Sequence, residues 1–141
     1  MTKYWIAVAS KNHVLYGASQ GIVMAGHGKR AGIARMHKGD GFIYYSPKVT
    51  VEGKEPLRAF TAIGEIADDT IEQVEMTPDF KPFRRRGLYR KTGEVPVRPL
   101  VKDLTFIRNK QSWGYVFRFG LIEIPEQDFR RIGHAFDTLP Q

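Results

Sequence analysis

The stretch Tyr4-Trp5-Ile6-Ala7-Val8-Ala9 is apolar nearly throughout and shows no alternation of polar and apolar residues. A strand with one wet face alternates, whereas a strand apolar on both faces needs cover on both. A chain that opens this way is expected to build a sheet with this segment central and other elements packed on its two sides. At 141 residues the length argues for one domain spanning 1–141.

Downstream, Ser10-Lys11-Asn12 offers polar caps for a helix from about His13 to Ala25, in which Val14, Ala18, Ile22 and Ala25 recur at helical spacing while Gly17 and Gly21 weaken it. A glycine-rich loop follows from Gly26 to Gly32. Strands are expected at Phe42 to Ser46, ended by Pro47, at Ala59 to Ile66 and around Glu72 to Met76. A basic strand at Phe83 to Arg90 is expected to close in a Thr92-Gly93 turn, and Tyr115 to Ile124 reads as the strongest strand of the chain. Pro125-Glu126-Gln127 opens a last helix with Phe129, Ile132 and Phe136 on its apolar face. About six strands in mixed order with two main helices imply an α+β fold, a small curled sheet or pseudo-barrel.

Charge narrows the function. Lys and Arg number 22 against 15 Asp and Glu, a net +7, and eight of the acids lie between Glu52 and Asp79, so the remainder is more basic still. Such a balance favours a polyanionic partner, chiefly nucleic acid, DNA or RNA, with a merely solubilising surface as the alternative. No apolar run approaches the ~18 residues of a membrane span. The first residues show no apolar run followed by a small-residue cleavage site, so secretion is not expected, and cysteine is absent. A cytoplasmic protein without membrane association is the expectation.

Catalytic patterns fail one by one. His13, His27, His37 and His134 do not recur at metal-ligand spacing, so no metal is expected. A Walker loop would need glycine at Val23 and Ser or Thr at Arg30. Gly26-x-Gly28-x-x-Ala31 matches the dinucleotide fingerprint formally, but a helical segment precedes it where a strand is required. Ser10 with His13 lacks the glycine elbow of a serine nucleophile. No catalytic residue and no cofactor is expected, and the chain reads as a binding module; the alternative is an enzyme or sensor for a nucleotide or another small phosphate-bearing ligand.

Three constellations could carry binding. His27, Gly28, Lys29 and Arg30 sit where glycines let backbone N–H groups converge on an anion, unless the loop is only a flexible turn with solvated cations. Lys81 to Lys91 interleaves six cations with Phe83 and Tyr89. On a strand, Phe83, Arg85 and Tyr89 share one face and Arg84, Arg86 and Arg90 the other, which suits phosphate contact and base stacking or a charged edge strand. In Trp113-Gly114-Tyr115-Val116-Phe117-Arg118-Phe119, Arg118 reads as buried and in need of a partner, an internal carboxylate or an anionic ligand. Trp113 reads as core or as a pocket wall.

Taken in order, these stretches resemble the EVE domain, a PUA-like family related to the YTH and ASCH domains. The resemblance rests on Trp5-Ile6, Ser10-Lys11-Asn12-His13-Val14, His27-Gly28-Lys29, Arg35-Met36-x-x-Gly39-Asp40 and Tyr44-Tyr45-Ser46-Pro47-Lys48. It continues through Ala59-Phe60-Thr61-Ala62-Ile63-Gly64, Pro82-Phe83-Arg84-Arg85 and Trp113-Gly114-Tyr115-x-Phe117-Arg118-Phe119-Gly120, nearly the whole chain. It implies a PUA-like pseudo-barrel flanked by helices that holds a single base, plain or modified by methylation or hydroxymethylation, flipped into a pocket. By position, Ser10, Lys11 and Asn12 would form the lip, His27, Gly28 and Lys29 the covering loop, and Tyr45, Ser46 and Pro47 the floor. Val23-Met24-Ala25-Gly26 has no aromatic where YTH domains place a cage tryptophan, so methyl-adenine specificity does not carry over. Phe83 or Trp113 is the candidate stacking ring, with Lys29, Arg30, Arg84, Arg85 and Arg118 as phosphate contacts.

Overall fold

A computed structural model describes residues 1–140. In chain order its elements are β1 (Tyr4–Val8), α1 (Lys11–Gln20), β2 (Ile22–Val23), α2 (Arg30–Ala34), β3 (Gly41–Lys48), β4 (Pro56–Ile66), β5 (Glu72–Gln73), β6 (Phe83–Pro96), β7 (Leu121–Ile124) and α3 (Glu126–Asp137), with 3-10 helices at Arg98–Asp103 and Trp113–Phe119. The strands run β2-β6-β4-β3-β1-β7, with β5 pairing on β6. β1 and β3 are parallel and every other pairing is antiparallel. The fold is α+β, a curled mixed sheet with helices on both faces, and β1 lies inside it as its composition requires.

Side-chain alternation divides the interior in two. Trp5, Ala7, Phe42, Tyr44 and Ala62 face one side, where Val14 of α1 and Ile33 of α2 cover them. Ile6, Ile43, Tyr45, Phe60 and Ile63 face the other, beneath Phe117, Ile132 and Phe136.

Four local expectations are corrected. α1 stops at Gln20, before Ala25, because Gly21 adopts the left-handed conformation (φ 66°) that terminates helices. Strand β3 continues past Pro47 to Lys48, since a register shift between Ser46 and Lys48 removes the need for a proline N–H. Strand β6 runs straight through Thr92-Gly93. Its partner β4 advances from Phe60 to Ala62 while β6 steps from Val95 to Thr92, so the glycine marks a bulge where a turn was expected. Finally, Trp113–Phe119 is a 3-10 helix, and only Leu121–Ile124 is strand. Phe117 alone is buried there, and one anchor in seven residues cannot satisfy the period-2 pattern of a strand.

One carboxylate fastens the start of β1 to the turn before β3. Asp40, 3% exposed, accepts from the Trp5 indole Nε1–H (2.9 Å) and from the backbone N–H groups of Lys3 (3.0 Å) and His37 (3.0 Å). Asp40→Ala leaves these donors without a partner, the indole fully buried. It should cost about 3 kcal/mol, read from the urea midpoint at unchanged slope.

Candidate functional site

A cleft of about 410 Å³ opens on the α1 side of the sheet, at the C-terminal ends of β1 and β3. Its base is the phenol of Tyr44, which donates to the Met24 carbonyl (2.7 Å) and accepts from the Met24 N–H (3.0 Å). Burial pushes that phenol up to about 12, so it stays protonated and neutral across the physiological range. Tyr89 donates to the Ile22 carbonyl (2.7 Å), and its own pKa is raised, chiefly by burial and then by Tyr44 beside it. The two hydroxyls hold the short strand β2 and its exit against the sheet.

One wall is the turn Gly26-His27-Gly28, three consecutive residues in the left-handed region with φ of 58°, 60° and 80°. His27 is held there although it has a Cβ, a conformation that costs of order 1–3 kcal/mol. Gly28 has no alternative, because a Cβ at that position would lie 2.5 Å from Cβ of Pro82 and 3.3 Å from the Phe80 ring. The remaining walls come from His13 and Tyr16 of α1, from Pro47, Lys48 and Val51, and from Met76 and Phe80 of the β5–β6 loop. Four of these expose large apolar side chains, Tyr16 (43%), Met76 (43%), Phe80 (40%) and Val51 (58%). The polar members are Ser10, His13, His27, Lys48 and Thr50, with no carboxylate among the described lining residues. A slot of this kind suits a flat, uncharged or anionic group held by its faces.

Of the residues expected in the pocket, Ser10, His27, Gly28 and Pro47 line the cleft. The others lie elsewhere. Lys11 is ion-paired to Glu94 (2.5 Å). Asn12 accepts from the Ser10 hydroxyl (2.6 Å) and the His13 N–H (2.9 Å), which engages its amide oxygen. Lys29 and Arg30 are exposed beyond the turn and do not line the cleft. Tyr45 is on the opposite face, stacked on Phe117 at 3.9 Å, because neighbouring residues of a strand point to opposite sides. Ser46 is fully buried against Thr61 (2.8 Å). Phe83 packs against the α1-side core and Trp113 against the α3-side core, and neither lines the cleft.

The expected phosphate contacts have different surroundings. Arg84 is paired with Glu72 (2.6 Å). Arg118 is exposed, its guanidinium 4.8 Å above the Tyr115 ring. Arg85, on the Phe83–Tyr89 face as alternation requires, is 4% exposed and spends its guanidinium on the carbonyls of Ile33 (3.1 Å) and Asp69. It braces α2 to the β4–β5 loop and is not presented to a ligand. Tyr16 and Phe80, the exposed aromatic rings of the cleft, carry no role in the sequence reading. Tyr16 follows His13 by one helical turn, a visible signal, whereas Phe80 sits in the acid-rich segment and carries none.

The EVE domain family model matches residues 3–135. The chain belongs to the EVE domain family. It is 45% identical over 134 residues to a UPF0310 protein of Mycolicibacterium vanbaalenii, covering 95% of this chain and 92% of that one. A UPF0310 protein of Mycobacterium avium is 44% identical over 131 residues, covering 93% and 95%. Among solved structures, the complex of the YTH domain-containing protein mmi1 with RNA is similar in fold with a TM-score of 0.65 at 10% identity, over 96% of this chain and 82% of that one. The YTH domain of the Zygosaccharomyces rouxii MRB1 protein in complex with N6-methyladenosine RNA gives 0.61 at 15%, over 99% and 90%. These likenesses establish the curled half-barrel as a YTH-like, PUA-like fold. Among the described residues, no helix of this EVE domain is long and apolar enough to cross a membrane.

Two outcomes test the geometry of this EVE cleft. Gly28→Ala should lower stability by about 2 kcal/mol, through the clash with Pro82 and the disallowed φ, as read from urea unfolding. Asp69 is held below the usual carboxylate range, first by the Lys38 N–H it accepts (2.9 Å) and then by Arg85. A lowered pKa in the folded state favours folding above the ordinary aspartate value, and that contribution is lost as pH falls through the lowered one. Asp69→Asn should therefore flatten the loss of stability below about pH 4 in a pH series of urea midpoints.

Proposed function

We propose that this EVE domain binds nucleic acid and holds one extruded base in the cleft, with methylated or hydroxymethylated bases among its ligands. The observation that carries the reading is the pairing of two exposed rings, Tyr16 and Phe80, from separate segments of a carboxylate-free cleft on a chain of net charge +7. A flat base offers its faces to Tyr16, Phe80 and Met24, and its edge to Ser10, His13 and His27. Exposed Lys48 at the cleft, with Lys29 and Arg30 nearby in sequence, supplies positive charge for the flanking phosphates.

The RNA named with the two YTH structures supports the same reading by fold analogy.

The decisive titration compares single- and double-stranded DNA and RNA, plain or with one methylated or hydroxymethylated base, at two salt concentrations. Binding should weaken steeply with salt, and one modified strand should bind more tightly than its plain counterpart. Tyr16→Ala and Phe80→Ala should each lower affinity about tenfold, in keeping with ~1–3 kcal/mol per stacked base. Absence of binding to every polymer, with salt-insensitive binding of a free nucleotide, would overturn the reading in favour of a small-ligand sensor.

A further inference from the structure

Outside the cleft, the largest unexplained exposure of aromatic surface is on the 3-10 helix Trp113–Phe119. Its one buried residue, Phe117, is the anchor, stacked on Tyr45 at 3.9 Å and edge-on to Phe60, Phe106 and Trp113. That anchoring accounts for the helix and for nothing on its outer side. There Tyr115 (58% exposed) and Phe119 (69% exposed) meet edge to face at 6.1 Å, and Arg118 lies over the Tyr115 ring at 4.8 Å. In a 3-10 helix, residues three apart eclipse, which is why Arg118 covers Tyr115. Two rings left in water with a guanidinium laid across one of them add little to the core, and such patches mark contact surfaces.

The position of the patch identifies its occupant. Gly120, next to Phe119, accepts a hydrogen bond from the Val8 N–H (2.9 Å), and Val8 both packs against the Phe117-side core and lines the cleft. The backbone that leaves the aromatic ridge is therefore joined to the end of β1, whose last residue lines the cleft. The local charge is positive. Arg118 has no carboxylate within 4.0 Å among the described residues, and neither has Arg58, whose charge is felt by the Tyr45 hydroxyl beside the same stack. Aromatic faces combined with unpaired arginine are what a single nucleic-acid strand requires, stacking for the bases and charge for the phosphates.

We propose that Tyr115, Phe119 and Arg118 form a second subsite, a platform on which nucleotides flanking the base in the cleft stack. The inference rests on the base-reading assignment of the cleft. It makes the ligand a strand that crosses the rim at Val8, with one base in the slot and its neighbours on the ridge.

The test uses single-stranded oligonucleotides of about ten residues, DNA and RNA, carrying 2-aminopurine at each position in turn, together with the corresponding mononucleotides. The double variant Tyr115→Ala/Phe119→Ala removes only exposed rings and should keep its melting temperature. It should bind oligonucleotides about tenfold more weakly, bind mononucleotides as the parent does, and lose the 2-aminopurine quenching at positions flanking the held base. Arg118→Ala should reduce the slope of log affinity against log salt by about 0.7. Parental oligonucleotide affinity with flanking quenching intact in the double variant would overturn the platform, including the case in which a protein docks there, and would leave the cleft assignment standing. Conversely, an effect of the double variant combined with none from Tyr16→Ala or Phe80→Ala would retain the ridge as a strand-binding surface and reject the cleft as the base site.

Discussion

Two neighbouring strands that run the same way cannot be joined by a tight turn, and β1 and β3 are such a pair. The chain must cross from Val8 back to Gly41 at the other end of the pair, and the connection packs α1 and α2 onto one face with the edge strand β2 between them. That excursion contains α1, β2, the left-handed turn and α2, and it supplies most of the cleft wall. The cleft is thus a product of the connection: the space left where a long crossover passes over the strand ends it has to link. The Asp40 carboxylate closes the circuit by tying the returning chain to the residues that began it.

The sheet serves two masters because its period is two. Tyr44 and Tyr45 are adjacent, yet one phenol forms the base of the cleft and the other ring is stacked under Phe117 in the opposite core. The same alternation places Arg85 inward and Arg86 outward on β6. A shift of one residue in the pairing of either strand would exchange these roles and empty both cores together. The bulges in the β4 ladders with β3 and β6 absorb extra residues without that exchange.

What could be read beforehand was what local chemistry determines. The doubly apolar β1, the helix opened by Pro125 and the common face of Phe83, Arg85 and Tyr89 all follow from pattern, and all are present. The EVE resemblance was likewise carried by the order of short stretches. The failures share one cause, tertiary contact overriding a local signal. Aromatic enrichment from Tyr115 onward promised a strand, but a single buried ring, Phe117, decides that segment. Cationic density offered Arg85 to a phosphate, but its guanidinium is buried on two carbonyls. Phe80 belongs to the cleft only because Gly28 lets the turn approach it, a contact across more than fifty residues of chain.

The buried guanidinium of Arg85 reaches from the segment after the left-handed turn to the loop before β5, beneath the walls they carry. Bonded at both ends, it ties those two segments to each other. A ligand of the proposed kind would then enter a slot whose flanking segments are already tied together, with less conformational entropy to surrender on arrival. Association should accordingly proceed in a single kinetic phase, at a rate set by encounter and charge steering, with differences between ligands expressed in how long each one stays.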